Sequence, residues 1–113
     1  MTDDQNRITL EEDGRLLAEA TLSDVDEAGR LQAQVHVEAG HLPPGTRSAI
    51  AEAIHERVQS SSAEHLTAAV PLGDGELIDG IRGPLTDVTL RAAGVTSLID
   101  GDVPRDETPG PTP

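Results

Sequence analysis

The stretch Ala33-Gln34-Val35-His36-Val37-Glu38-Ala39-Gly40-His41-Leu42-Pro43-Pro44-Gly45-Thr46-Arg47-Ser48-Ala49-Ile50 decides the fold. Its first part alternates apolar and polar residues with a period of two, the pattern of a half-buried strand. Pro43, Pro44 and Gly45 then form a turn. Proline is tolerated just ahead of a helix, where its missing N–H is not needed. From Thr46 to Gln59, Ile50, Ile54 and Val58 recur at helical spacing beside Ala51 and Ala53. A strand, a glycine turn and a helix start present free backbone N–H groups to an anion.

Upstream, Ile8 and Leu10 alternate with polar residues, and Asp13-Gly14 supplies a positive-φ hairpin turn. Leu16, Ala18, Ala20 and Leu22 share one face of a second strand, with Glu19 and Thr21 on the other. The third strand runs from Leu31 to Val37. Downstream, Leu66, Ala68 and Val70 read as a fourth strand closed by Pro71. Asp74 is an N-cap for a short helix carrying Leu77, Ile78 and Ile81, stopped by Gly83-Pro84. Val88, Leu90 and Ala92 form a fifth strand, and Ala93-Gly94 is a turn or bulge before Val95–Ile99. The expected fold is a single α+β domain with a mixed sheet in the order β-β-β-α-β-α-β(-β). The two strands around the first helix are expected to be parallel through a right-handed crossover. Residues 1–6 read as a flexible N-terminus, 7–100 as the domain, and 101–113 as a disordered Pro-rich tail.

Composition narrows the function. The chain of 113 residues has no Phe, Tyr or Trp, so Leu, Ile, Val and Ala must build the core. Base-stacking nucleic-acid modules and aromatic ligand cages are thereby disfavoured. The net charge is −13, from 21 acids and 8 bases, and every base is arginine. Such a chain is repelled by phosphate backbones and anionic membranes, so neither nucleic acid nor membrane is an expected partner. The acids are spread along the chain, which serves solubility; the sharper alternative is a nucleic-acid mimic or a partner for a basic protein. The absence of cysteine removes disulfides and thiolate chemistry. The acidic N-terminus is not a secretory signal and no apolar run is long enough to span a membrane, so a cytoplasmic location is expected. Arginine without lysine, with abundant Ala, Gly and Asp, reads as the coding bias of a GC-rich bacterium.

Asp24-Val25-Asp26-Glu27-Ala28-Gly29 echoes a calcium loop, but Ala28 and Val35 stand where oxygen ligands belong, so it reads as an acidic hairpin loop. His36, His41, His55 and His65 have no metal-ligand spacing, and no metal is expected. Asp74 and Glu76 are explained by capping of the second helix.

The order of elements resembles the C-terminal two-thirds of the GNAT N-acyltransferase fold, over about residues 7 to 100, without that fold's N-terminal helices. Asp13-Gly14-Arg15-Leu16-Leu17-Ala18 looks like the hairpin ahead of the central strands. His41-Leu42-Pro43-Pro44-Gly45-Thr46-Arg47 occupies the place of the family's pyrophosphate loop, Q/R-x-x-G-x-G/A. Gly45 keeps the first glycine, while Leu42 stands at the Gln/Arg position and Arg47 at the second glycine. Many members use a tyrosine as general acid, and this chain has none. The resemblance implies coenzyme A or acyl-CoA, or another phosphorylated ligand, bound by Gly45, Thr46, Arg47 and Ser48. The Leu31–Val37 strand would orient the pantetheine, and His41 or Glu38 would take the amine proton. The competing expectation is a non-catalytic interaction or regulatory protein. It acts as a homodimer that covers an apolar face or strand edge left open by the reduced sheet.

Overall fold

A computed structural model describes residues 6–38 and 42–104. Eight elements follow one another: β1 (Arg7–Glu12), β2 (Arg15–Leu22), β3 (Arg30–Val37), α1 (Thr46–Gln59), β4 (His65–Pro71), α2 (Gly75–Arg82), β5 (Thr86–Ala93) and β6 (Thr96–Asp102). They form one six-stranded mixed sheet in the spatial order β1-β2-β3-β4-β6-β5. Only β3 and β4 are parallel; the other neighbours are antiparallel. The expected α+β class and element order hold, and the optional last strand is real. It inserts between β4 and β5, which leaves β5 at the edge.

Both helices lie on one face, α1 over β1 and β2, α2 over β4 and β6. Cross-strand register sets the apolar rows beneath them. One row runs Leu22–Ala33–Ala68–Ile99–Leu90 across five strands. The centres of these rows are small: Ala18, Ala20, Ala33 and Ala68 are fully or almost fully buried. Small residues let the helices sit close, and Ile50, Ile54 and Val58 of α1 with Leu77 and Ile81 of α2 fill the space. This is how a core without a single aromatic ring closes.

Local turns follow the chemistry of their residues. Asp13 and Gly14 both take positive φ, as a two-residue hairpin of primed type requires. A bulge in the β1–β2 ladder pairs Leu10 with Ala18 and Glu11 with Leu16, leaving Leu17 as the extra residue. Leu17 is therefore buried and Leu16 only half-buried, the reverse of a plain alternation. Asp26 closes the 24–29 loop by accepting from the N–H groups of Ala28 and Arg30 at 2.9 Å each. These bonds, that from Arg30 foremost, hold its carboxyl below the usual aspartate range.

The last strand also runs past residue 100, where the domain is expected to end. Gly101 and Asp102 belong to β6, because Gly101 pairs with Leu66 and Val103 buries its side chain while its N–H binds the Glu64 carbonyl. A Cβ on Gly101 would lie 3.0 Å from Leu85 Cβ and 3.2 Å from the Thr86 carbonyl, so the close passage of that loop favours glycine. The ends expected to be flexible or disordered otherwise fall outside the described residues, apart from Asn6 and Val103–Pro104. Among the described residues no helix is long and apolar enough to cross a membrane.

The two helices also approach each other closely. A Cβ on Gly80 would stand 3.0 Å from that of Ala51. At the same interface the His55 Nε2–H donates to the Ile81 carbonyl at 2.9 Å. Burial holds the imidazole below its ordinary pKa, against the pull of the Ile81 and Gly80 carbonyls.

Two predictions follow from this interface. Gly80→Val should destabilise the domain by roughly 1–3 kcal/mol in urea unfolding, and Ala51→Gly in the same chain should recover part of the loss. The folded state disfavours protonated His55, so the unfolded chain takes that proton first. Stability should fall as pH drops through about 6.5, the unfolded value, and His55→Gln should flatten the melting-temperature profile in that range.

Candidate functional site

The parallel ladder between β3 and β4 pairs Arg30 with His65 through Gln34 with Ala69, and stops there. Both strands continue. β3 stays paired with β2 as far as Val37, and β4 stays paired with β6 as far as Pro71. The two central strands therefore part at Val35–Val37 and Val70–Pro71.

The sequence explains where they part. Extending the register would set Pro71 opposite His36, with the residue-71 N–H pointing at the Val35 carbonyl. Proline has no N–H to give. Its own carbonyl, which would have met the Val37 amide, instead accepts from the Asp74 N–H at 3.3 Å. The Glu38 N–H donates across to Leu17 on the β2 side, so the N–H and C=O of Val37 face the gap.

A cleft of about 490 Å³ occupies this gap, lined by Val37, Glu38, Arg47, Pro71, Leu72, Gly73, Asp74, Gly75 and Glu76. Two helix N-termini converge on it. Gly45, at φ 86°, is the N-cap of α1, and no side chain caps that helix. Its first turn carries no acid. Thr46 is the first helical residue. Its N–H and its hydroxyl both donate to the Pro43 carbonyl, at 3.3 Å and 2.8 Å. Among the described residues, the N–H groups of Arg47 and Ser48 meet no acceptor. Asp74 caps α2 by accepting from the Leu77 N–H at 3.2 Å. The helices are tied together by Arg47, whose Nε donates to both Asp74 carboxylate oxygens at 2.9 Å.

The residues singled out from sequence divide as follows. Arg47 and Glu38 meet on the cleft. Glu38 accepts from His36 Nε2 at 2.7 Å, on the exposed side of β3. Gly45 makes the turn but does not line the cleft, and Thr46 is buried beneath it with its hydroxyl already engaged. Ser48 lines a separate groove between α1 and α2, with Ala51, His55 and Gly80. The two hydroxyls thus do not converge on one ligand. His41 lies outside the described residues. Asp74, Glu76 and Pro71 also line the cleft, although capping and strand ending account for them locally. A usable signal was present: Pro71-Leu72-Gly73-Asp74-Gly75 is a second strand–turn–helix junction built like the first. Among the described residues, no three His, Asp or Glu side chains gather as metal ligands.

This geometry, a mixed sheet whose one parallel pair splays beside a helix N-terminus, is a GNAT-like α+β fold, and solved structures bear that out. The chain superimposes on the GNAT domain of PAT from S. lividans with a TM-score of 0.60 at 15% identity, over 91% of this chain and 64% of that one. It matches YncA of Salmonella typhimurium, assigned as an acetyltransferase and solved with its cofactor acetyl-CoA. There the TM-score is 0.61 at 14% identity, over 94% of this chain and 68% of that one. A phosphinothricin acetyltransferase of the GNAT superfamily from Sinorhizobium meliloti, in complex with acetyl-CoA, gives 0.61 at 13% identity, over 94% and 65%. The chain spans about two thirds of the length of these proteins. No family profile and no curated protein matches the sequence.

If the missing N–H is what opens the gap, Pro71→Ala should close part of it. In amide hydrogen exchange the new residue-71 N–H should be protected by a bond to the Val35 carbonyl. Rapid exchange at position 71 would show instead that the gap is held open by the seating of α1.

Proposed function

We propose that this domain binds acyl-CoA, or another ligand that carries phosphate on a narrow arm, in the cleft between β3 and β4. The observation that carries the reading is the parting of the two parallel strands after Gln34 and Ala69, beside the uncapped start of α1. Proteins of similar fold have been solved with acetyl-CoA. In this chain the gap offers the Val37 N–H and C=O as partners for the amides of a pantetheine arm. The free N–H groups of Arg47 and Ser48, the dipole of a 14-residue helix and the Arg47 guanidinium favour phosphate at the other end. Thr46 supports the turn from below.

For acyl transfer, an amine would attack the thioester carbonyl, the C–S bond would break, and the thiolate would leave. Glu38, one of the carboxylates at the cleft, would take the amine proton, and His36 at 2.7 Å would relay it to solvent. His41 is the other base suggested by the sequence.

A second reading, a non-catalytic homodimer that engages a basic partner, is favoured by the sheet edge. β5 is exposed along almost its whole length, and Leu90 is 46% and Val95 84% exposed. The open face of the sheet does not support the apolar patch expected there, since Thr9, Glu19, Gln32, Gln34, His36 and Thr67 occupy it.

Calorimetric titration with coenzyme A and acetyl-CoA separates the two readings. The first requires saturable binding that Arg47→Glu weakens by about tenfold or more. Absence of heat, together with a dimer mass in light scattering, would support the second.

A further inference from the structure

Arg47 sits where a helix least favours a cation. It is the second residue of α1, at the positive end of the helix dipole. Its charge is met from outside the helix, by Asp74. That carboxylate is 12% exposed, serves both as the α2 cap and as the Arg47 partner, and belongs to the wall of the cleft. Only Nε of Arg47 is used in this pair; among the described residues its two terminal nitrogens have no partner. Glu38 and Glu76 stand on the same cleft, so among the described residues Arg47 is its single cation beside three carboxylates.

Resting on the phosphate-binding reading above, we infer that Asp74 is the specificity-determining residue of the cleft. It withholds Arg47 from any ligand too weakly charged to take it away. A phosphate at the first turn of α1 gains the terminal nitrogens of Arg47 but lies close to the Asp74 charge. A monoanionic carboxylate exchanges one single-charge partner for another, and it still meets the three acids of the wall. A pyrophosphate carries enough charge to draw Arg47 toward itself and to profit from the helix N–H groups as well. The pair thus sets a threshold that favours multiply charged phosphate ligands over carboxylates.

The test uses two variants that keep the cap. Asn and Ser both cap helices well, so Asp74→Asn and Asp74→Ser remove the charge while leaving α2 its first hydrogen bond. Circular dichroism melts establish that both are folded. Calorimetry is then run with coenzyme A, inorganic pyrophosphate and acetate. Both variants should bind coenzyme A and pyrophosphate about tenfold more tightly than the parent chain, and acetate should become measurable. The gain should vanish in the double variant Arg47→Gln, Asp74→Asn. If the parent binds coenzyme A and the Asp74 variants bind it equally or more weakly, Asp74 merely orients Arg47 and the inference is wrong. If no chain binds coenzyme A or pyrophosphate, the phosphate reading itself has failed.

Discussion

One absent donor organises the centre of this protein. A parallel pair of strands buried under helices would normally zip to the end of the shorter strand, because each unpaired backbone group in a dry interior is costly. Here the next donor in line belongs to Pro71, which has none, and the Pro71 carbonyl is turned to the Asp74 N–H. The ladder therefore ends while both strands are still held by their outer neighbours. The gap thus lies between two strands that each stay paired on their outer side. It is flanked on each side by a turn that opens a helix, with a positive-φ glycine in each: Gly45 before α1 and Gly73 before α2.

Those two turns also fix the electrostatics. Helices that start side by side bring two positive dipole ends together. α2 answers with its own acids, Asp74 at the cap and Glu76 in the first turn. α1 has neither a side-chain cap nor an acid in its first turn, and it carries Arg47 there instead. The uncompensated end is thus α1, and Asp74 is shared across the gap to hold it. A chain with net charge −13 keeps one of its eight cations at this spot. Among the described residues, the others that line the cleft are acids, glycines or apolar residues.

Much of the fold was legible because local signals agreed with each other. The alternation in 31–37, the Ile50–Ile54–Val58 spacing, the Asp13-Gly14 turn and the Asp74 cap each named an element with the right limits or nearly so. Legibility failed where the deciding contact was distant. Leu16 and Leu17 are equally apolar, and only the bulge against Leu10–Glu11 decides which one turns inward. The extension of β6 to Asp102 is supported by Val103 reaching Glu64, and no local composition records that bond. At the site, the turn at Gly45 was visible and the role of Thr46 was not, since its hydroxyl could cap or fold back on Pro43. Asp74 read as a cap, which is correct, but its second partner lies 27 residues away in sequence.

The face of the sheet opposite the helices shows why a two-layer arrangement suffices. Residues there are paired across strands by polar contacts: Arg7 with Glu19 at 3.1 Å, His65 with Asp102 at 2.7 Å, Thr67 with Asp100 at 3.2 Å. An antiparallel sheet tolerates water on one face, whereas a parallel pair is normally covered on both. In this sheet the parallel pair is confined to β3 and β4 and is short, five residue pairs in register. Its open side carries Gln32, Gln34 and Thr67 rather than an apolar run. Keeping the parallel segment brief and its outer surface polar lets the sheet stand in water on that side. The parallel segment ends where Pro71 stands, at the edge of the cleft, so the covered and the open parts of the central strands meet at one residue.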